Sequence, residues 1–414
     1  MNTNGSMKMP LLDTAFHLMD GARSPQDFTL ILHLRDAPDV DRFYAGAKSA
    51  MNRFPTSASC IDGHAWVWRE NKYFKLKILS GVSDLESRSA IEQFIDEVFD
   101  LRHQPPVRQT LILKGQGKAS LVTRFHHSAA DGLSAALWLG HQLNVAYGLE
   151  EVELERAPFA ELELRKLQTS VRRSQFAFDG GSERLWTSHT RRSGKRRWIT
   201  IGFQAAELQK ACRRIGGFTY NDLLATCTLE VLSLWNEAHS CGSKIGLWMP
   251  MNVRREAFKG FGNGTSRIRL YARYIRDASF VEKCRGVRRQ VAWTSKHGEW
   301  VVPEMAYFKR LPHPIVGPLL RGYLKFPSVD MATGVFSHAG SWIANAGEAF
   351  KHVERIECVG LLHPRQSVAV NAATHCGKTW LTFTYDAKLL SETDAQQLAR
   401  MYEQQIEIAR KELF

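Results

Sequence analysis

Two adjacent histidines, followed by an aspartate and a glycine, are the residues of this chain best suited to catalysis. They lie in one short segment, His126-His127-Ser128-Ala129-Ala130-Asp131-Gly132. A neutral imidazole with a pKa of about 6.5 can take a proton from an alcohol or an amine at neutral pH. The segment therefore suggests general-base catalysis on a hydroxyl or amine substrate.

The elements that must position these histidines are a strand before them and a helix after them. Residues 119–125 form an apolar, strand-favouring run, and residues 133–145 are apolar and helix-favouring. Because side chains alternate along a strand, His126 and His127 should point to opposite sides, and only one should reach a substrate. Asp131 can fix the local backbone or pair with a distant arginine. Gly132 permits backbone geometry that other residues disfavour.

The competing interpretation is structural, because an isolated histidine pair more often serves packing or surface polarity than catalysis. The fixed spacing to Asp131 and Gly132, the preceding strand and the following helix favour the catalytic interpretation.

The rest of the chain predicts an α+β fold in two lobes. A length of 414 residues exceeds what one hydrophobic core usually organises. Strand and helix patterns occur in both halves without strict alternation, which favours mixed sheets over a doubly wound parallel sheet. Between about residues 150 and 197 the periodicity fades and charge rises, so this segment is interpreted as a surface link. The predicted lobes are residues 1–180, which carry the histidines, and 181–414.

The histidine segment resembles the HHxxxDG signature of one acyltransferase superfamily. Its members include chloramphenicol acetyltransferase, condensation domains of peptide synthetases, polyketide-associated acyltransferases and wax ester synthase/diacylglycerol acyltransferases. The resemblance extends over nearly the whole chain. It is also carried by Leu12-Asp13, Arg53-Phe54-Pro55, Phe99-Asp100-Leu101, Pro105-Pro106-Val107-Arg108, Tyr220-Asn221-Asp222-Leu223-Leu224, Pro250-Met251-Asn252-Val253-Arg254 and Gly262-Asn263.

This resemblance implies two chloramphenicol-acetyltransferase-like lobes, each a mixed β-sheet with helices, that meet at a central tunnel. His127 matches the catalytic base by position, and Asp131 matches a structural aspartate. The implied donor is a thioester of coenzyme A or of a carrier protein's phosphopantetheine, with no tightly bound cofactor, and the acceptor is a small alcohol or amine. For the developing oxyanion, Ser337 or a backbone amide near Gly132 is the nominated donor.

Two departures from the superfamily leave the substrates open. The chain has no Asp-Phe-Gly-Trp-Gly segment, and residues 333–340 replace an Asn- and Pro-containing loop of wax ester synthases. One alternative is a stand-alone condensation-type enzyme that forms an amide between carrier-bound substrates. Another is a non-catalytic binding protein of the same fold, against which the intact His127, Asp131 and Gly132 argue.

Other motifs give little support to other chemistries. The glycine-rich segment 260–264 lacks dinucleotide-fold spacing, so it is interpreted as a structural turn. Residues 377–379 resemble the end of a P-loop but lack its first glycine. The chain has no Gly-x-Ser-x-Gly elbow and no His-Glu-x-x-His pattern. Its seven cysteines are scattered without Cys-x-x-Cys spacing, so no metal site is predicted and the thiols should be reduced.

The net charge of +13 suggests an anionic partner. The basic segment 191–197 lacks the interleaved aromatic residues of a nucleic-acid site, so we expect no nucleic-acid binding. A strand is predicted at 265–275, with an outer face of Arg267, Arg269, Tyr271 and Arg273. That arginine face, or the segment 191–197, would suit an acidic acyl carrier protein or the phosphates of coenzyme A. Residues 311–326 offer an apolar side for peripheral membrane contact, although packing is the favoured interpretation. With no apolar run of about 20 residues and no signal sequence, a cytoplasmic protein without transmembrane segments is expected.

Overall fold

The computed structural model describes most of the chain. The described residues are 5–69, 74, 76–160, 162–164, 174–256, 260–272, 278–297, 315, 316, 318, 319, 332–340 and 346–414.

The chain divides into two compact units, each assembled from separate segments of sequence. The first unit comprises Met1–Arg165, Val253–Gly264 and Ser341–Val359. The second comprises Lys166–Asn252, Thr265–Gly340 and Gly360–Phe414. These ranges differ from the continuous lobes 1–180 and 181–414 expected from the sequence. The reason is that two later segments pack with the first unit, one as a strand of its sheet and one beside the histidine segment.

The strands and helices follow one another in mixed order along the chain. The strands are β1 (Ser6–Lys8), β2 (Asp27–Leu34), β3 (Ser59–Asp62), β4 (Ala65–Trp68), β5 (Leu76–Ser80), β6 (Val107–Leu113), β7 (Ala119–His126), β8 (Arg196–Gln204), β9 (Gly246–Asn252), β10 (Thr265–Tyr271), β11 (Gly334–His338), β12 (Val353–Val359), β13 (Val368–His375) and β14 (Lys378–Asp386). The helices are α1 (Leu11–Met19), α2 (Val40–Arg53), α3 (Asp84–Asp96), α4 (Gly132–Ala146), α5 (Ala206–Ile215), α6 (Tyr220–Ala238), α7 (Phe280–His297) and α8 (Glu392–Leu413).

The main sheet of the first unit has the strand order β12-β2-β7-β6-β5. Strands β5 and β6 are parallel, and the other neighbours are antiparallel. The central strand β7 is buried along its whole length, including Arg124, which pairs with the buried Asp27 at 3.0 Å. Helices α2 and α4 approach closely, because a Cβ atom on Gly46 would lie only 2.4 Å from the carbonyl oxygen of Gln142. A smaller sheet, in the order β1-β4-β3, completes this unit.

The second unit is built on a sheet with the order β10-β9-β11-β13-β14-β8. Strand β11 runs parallel to both β9 and β13, and the remaining pairs are antiparallel. One face of the sheet packs against α5, α6, α7 and α8 in a single apolar core. Within it the Tyr402 hydroxyl donates a hydrogen bond to the carbonyl oxygen of Leu224, 2.9 Å away. Mixed sheets with helices in both units confirm the predicted α+β class.

The strand predicted at 265–275 is shorter and less basic on its surface than expected. It ends at Tyr271, and residues 273–275 lie outside the described part of the chain. Tyr271 was expected on the outer face but is buried, because its ring packs edge-on against Phe178 at 5.4 Å. Arg267 is partly buried and its guanidinium lies 3.8 Å from the Trp248 ring centroid.

The basic segment 191–197 also makes more contacts with the rest of the second unit than a solvated loop would. Arg192 donates hydrogen bonds to the carbonyl oxygens of Leu362 and His363. Arg196 is buried and opens β8. Most of segment 311–326 lies outside the described residues. In the described part of the chain, every helix is too short or too polar to cross a membrane.

Candidate active site

His127 lies immediately after β7, where the backbone is held on both sides. The His126 amide donates to the carbonyl oxygen of Pro106 at 2.8 Å, and the His127 amide donates to that of Gln26 at 2.7 Å. The two histidine rings have different surroundings, since His126 is fully buried and His127 is partly exposed. The strand end therefore offers only the second histidine to solvent.

The ring of His127 is held between aromatic neighbours and an asparagine. Phe16 stacks on it with ring centroids 4.1 Å apart, and Phe28 packs edge-on at 5.4 Å. Its Nδ1 atom lies 3.1 Å from Oδ1 of Asn263. Burial lowers the pKa of His127 below its usual 6.5, although the nearby Asp131 opposes this shift. The imidazole is therefore neutral at physiological pH.

The orientation of the Asn263 amide decides which nitrogen of His127 carries the proton. The Nδ2 atom donates to the carbonyl oxygen of His127 at 2.6 Å and to Oδ1 of Asp13 at 2.9 Å. Both partners are acceptors, so the opposite amide orientation would lose both bonds. Oδ1 must then face His127 and accept a hydrogen bond from Nδ1. The lone pair of the neutral ring is consequently on Nε2, which has no hydrogen-bond partner among the described residues.

Asp13 supports this arrangement from a buried position on α1. Its carboxyl group accepts hydrogen bonds from Asn263 and, at 3.2 Å, from Nε1 of Trp66. Burial raises the pKa of Asp13 to about 7, despite these two bonds. Asp13 thus acts on His127 only through Asn263.

Asp131 caps the start of α4 and ties it to the segment 253–264. Its carboxylate accepts hydrogen bonds from the amides of Ser134 at 3.0 Å and Gly264 at 2.8 Å. It also pairs with Arg254 at 2.7 Å, and the two side chains are only 3% and 1% exposed. Burial alone would raise the pKa of Asp131, but Arg254 and the backbone donors outweigh it and lower that pKa. This carboxylate holds the loop that carries Asn263.

Arg254 extends the same network to the glycine-rich segment. Its Nη2 atom donates to the Ser134 hydroxyl and to the carbonyl oxygen of Gly262, each at 2.9 Å. Gly264 lies so close that a Cβ atom there would be 2.5 Å from Cγ of Arg254. The segment 260–264 is a turn, as the sequence indicated, and it also supplies Asn263.

Gly132 does not need the backbone freedom that the sequence suggested for it. It is the first helical residue of α4 and is absent from the glycines with positive φ. Since the chain there enters an ordinary right-handed helix, its conformation does not itself require glycine.

His126 is held in a buried network of its own. Its Nδ1 atom accepts a hydrogen bond from the Ser128 amide at 3.2 Å and lies 2.7 Å from the Ser128 hydroxyl. Nε2 therefore carries the proton, and it faces Oδ2 of Asp20 at 3.3 Å. The Asp20 carboxylate also accepts a bond from the Gln26 amide, so His126 helps to hold the segment that binds the His127 backbone.

Ser337 lies in the second unit, on β11, and is paired in register with Asn371 of β13. The first unit therefore brings together His127, Asp131 and Gly132 with His126 close by, but not Ser337. Sequence reasoning missed Asn263, Asp13 and Phe16 as functional residues. Asn263 and Asp13 did fall within segments that carry the family resemblance, whereas the distant arginine expected for Asp131 is Arg254.

The comparisons with known proteins show similarity in structure but not in sequence. No protein-family model matches the chain, and no curated protein matches it. It is similar to the first condensation domain of the CDA synthetase, with 14% identity and a TM-score of 0.68 over 98% of this chain and 97% of that one. It is similar to the trichothecene 15-O-acetyltransferase of Fusarium sporotrichioides, with 12% identity and a TM-score of 0.68 over 98% and 94%. The X-domain from teicoplanin biosynthesis gives 16% identity and a TM-score of 0.63 over 97% and 95%.

At these identities the likeness shows the fold. The chain has the chloramphenicol-acetyltransferase-like fold that condensation domains and the trichothecene acetyltransferase share. Among the described residues, no cluster of histidine, cysteine or carboxylate side chains is arranged to hold a metal ion.

Proposed function

We propose that this protein is an acyltransferase in which His127 is the general base. The observation that carries the proposal is the hydrogen bond from Nδ1 of His127 to Asn263, which leaves the basic Nε2 lone pair unoccupied. A neutral imidazole that is held in one tautomer and is partly exposed at the strand end is suited to proton abstraction. The proposed donor is a thioester of coenzyme A or of a carrier protein, and the acceptor is a small alcohol or amine.

The proposed reaction proceeds by direct transfer. Nε2 of His127 takes the proton from the acceptor as its oxygen or nitrogen attacks the thioester carbonyl carbon. The C–S bond then breaks, and the leaving thiolate takes the proton back from His127. No separate proton donor is required, because the same imidazole serves in both steps.

The surroundings of the motif favour direct transfer over an acyl-enzyme. Ser128 is the hydroxyl nearest to the histidines in sequence, but it is fully buried and engaged with Nδ1 of His126. A nucleophilic serine must be exposed and activated by a base with a free lone pair. Ser128 faces the Nδ1 lone pair of His126 but lacks the first property, because a fully buried hydroxyl cannot reach an acyl donor. Ser337 as oxyanion donor stays a prediction.

A condensation-type reaction is the second candidate, because several structures with this fold are condensation domains. Such an enzyme would form an amide between carrier-bound substrates, again with His127 as the base. The acceptor distinguishes the two candidates: the acyltransferase uses a small free alcohol or amine, whereas the condensation-type enzyme requires an amine that is itself bound to a carrier protein.

The test is a thiol-release assay with purified protein, a panel of acyl-coenzyme A species and pooled alcohols or amines. We expect acceptor-dependent release of thiol with the natural chain and little with His127→Ala. The same assay with the acyl donor and the amine acceptor each loaded on a carrier protein tests the second candidate, and a carrier-bound donor with free acceptors tests the first candidate's other donor. Failure of both donors in correctly folded protein would leave the non-catalytic binding protein as the remaining interpretation.

A further inference from the structure

A groove in the first unit has a separate set of lining residues from the site around His127. Its volume is about 480 Å³, which lies within the range of about 300–1,000 Å³ typical of small-molecule sites. Arg53 and Phe54 at the end of α2, Leu137 and His141 on α4, and Phe261 contribute to its walls. The site contains both apolar surface and ionisable groups.

His141 anchors the polar end of this groove, and its contacts define its tautomer. It is only 4% exposed, with Nε2 at 2.9 Å from the Ser49 hydroxyl and Nδ1 at 2.6 Å from Oε2 of Glu150. The Ser49 oxygen also accepts a bond from the Glu153 amide, so its hydroxyl proton is free to bond Nε2. Nδ1 then carries the ring proton and donates it to the Glu150 carboxylate. Burial lowers the pKa of His141, which keeps this ring neutral.

This assignment leaves the guanidinium of Arg53 with two long ion pairs but with no hydrogen-bond acceptor among the described residues. Its Nη1 atom lies 3.0 Å from Nδ1 of His141, but a protonated nitrogen cannot accept a hydrogen bond. Its distances to the carboxylates of Glu150 and Glu153 are 3.6 and 3.9 Å, beyond hydrogen-bonding range. The Arg53 side chain is also 47% exposed. Its donors can therefore turn to a molecule in the groove.

Glu150, by contrast, is committed to the protein. Oε2 accepts from His141, and Oε1 accepts from Nδ2 of Asn144 at 2.9 Å. Burial would raise the pKa of Glu150, but these hydrogen bonds outweigh it and keep the carboxylate charged. Of the ionisable groups lining the groove, Arg53 is thus the only cation, and on this tautomer assignment its donors have no hydrogen-bond acceptor among the described residues.

The opposite wall is apolar and is continuous with the loop that positions His127. Phe54 and Phe261 stack with ring centroids 5.3 Å apart. Phe261 lies two residues before Asn263, which bonds Nδ1 of His127. A molecule packed against Phe261 therefore touches the segment that holds the base.

We propose that this groove is a second ligand site, which binds an amphipathic carboxylate with its head group on Arg53 and its apolar body against Phe54, Leu137 and Phe261. The two planar groups, guanidinium and carboxylate, form paired hydrogen bonds in this geometry. The site goes beyond the proposed acyl transfer and does not depend on it.

The test uses a decanoate analogue that carries a photoreactive diazirine in its chain, with the crosslinked peptides mapped by mass spectrometry. Adducts are expected on residues 53–56, 137–141 or 157–160. We expect Arg53→Ala to weaken binding about tenfold or more, as loss of a charged hydrogen bond does, and Arg53→Lys to weaken it less. Ala160→Phe, which adds bulk at another lining residue and keeps Arg53, should also reduce labelling.

The matched control is Arg88→Ala, because Arg88 is also a partly exposed arginine paired with a glutamate, Glu92, but does not line the groove. Arg88→Ala should be labelled as strongly as the natural chain. His127→Ala should be labelled equally strongly, which separates this site from the acyl-transfer proposal. Absent labelling, adducts only elsewhere, or undiminished labelling of Arg53→Ala would overturn the assignment. Stronger competition by decylammonium than by decanoate would overturn it as well.

Discussion

The ion pair between Asp131 and Arg254 gives the sharpest test of how the site is held. Asp131→Ala removes a carboxylate that accepts hydrogen bonds from two backbone amides and faces a buried guanidinium. Asp131→Asn keeps the shape and removes the charge. Arg254→Met removes the partner and keeps much of its volume.

The expected loss of unfolding free energy depends on which charges and hydrogen-bonding groups each variant leaves without a partner. Breaking a buried ion pair from one side costs about 3–5 kcal/mol. Arg254 retains its bonds to Ser134 and to the carbonyl oxygen of Gly262, so we expect the lower end, about 3 kcal/mol, for Asp131→Ala. Asp131→Asn should cost less, about 1–3 kcal/mol, because its amide oxygen still accepts one hydrogen bond.

The pH dependence of stability provides an independent check on the charge. The folded-state pKa of Asp131 is lowered, so its contribution is fully present above the unfolded value of about 3.9. It is lost as pH falls through the folded value. The stability contributed by the Asp131 charge itself should therefore be complete above about pH 5 and should shrink below about pH 4, whereas changes between pH 7 and 5 also report on Asp13, whose pKa the Asp131 charge helps to raise.

The assay is chemical denaturation at several pH values, combined with kcat/KM from the thiol-release reaction. Activity and stability should fall together, because the loop held by Asp131 carries Asn263. If Asp131→Ala abolishes activity and leaves the unfolding free energy unchanged, the structural role is wrong and Asp131 acts directly on the substrate.

The other predictions concern His127 and its neighbours. His127→Ala should lower turnover by about two to four orders of magnitude without changing the fold; the natural chain should lose kcat/KM only below about pH 6.5, because the pKa of His127 is lowered. His126→Ala should cost mainly stability, measured as Tm, since its ring is buried and bonded to Ser128; greater loss of turnover than in His127→Ala would reverse the two roles. Asn263→Ala should lower kcat more than it raises KM, because without the Asn263 oxygen the His127 ring can adopt either tautomer. Asn263→Gln should restore part of kcat, and an unchanged kcat in Asn263→Ala would contradict this role. Kinetics with both substrates varied should give intersecting double-reciprocal lines, and donor alone should leave no acyl adduct detectable by mass spectrometry; a discharged adduct would require an acyl-enzyme.

Local sequence patterns were sufficient to predict the elements around the motif. The apolar run ending at His126 and the helix-favouring residues after Gly132 correspond to β7 and α4. Asp131 was expected either to fix the local backbone or to pair with a distant arginine, and its carboxylate does both.

Partners that lie far away in sequence could not be predicted in this way. Asn263 follows His127 by 136 positions, and Asp13 precedes Asn263 by 250. Which segments meet is decided by tertiary packing of distant elements, which local periodicity does not encode. The same reason explains Tyr271, whose alternation placed it outside although Phe178 covers it.

Strand β12 gives this protein an unusual order of assembly. Its residues, Val353–Val359, pair with β2 in the sheet that also contains β7, and Arg254 reaches Asp131 from another late segment. During synthesis one edge of β2 therefore stays without its partner strand until Val353–Val359 has left the ribosome. Unpaired edges of this kind are sites of misassembly. A fragment ending before Val353 should accordingly require a chaperone or aggregate, even though it contains the whole histidine segment.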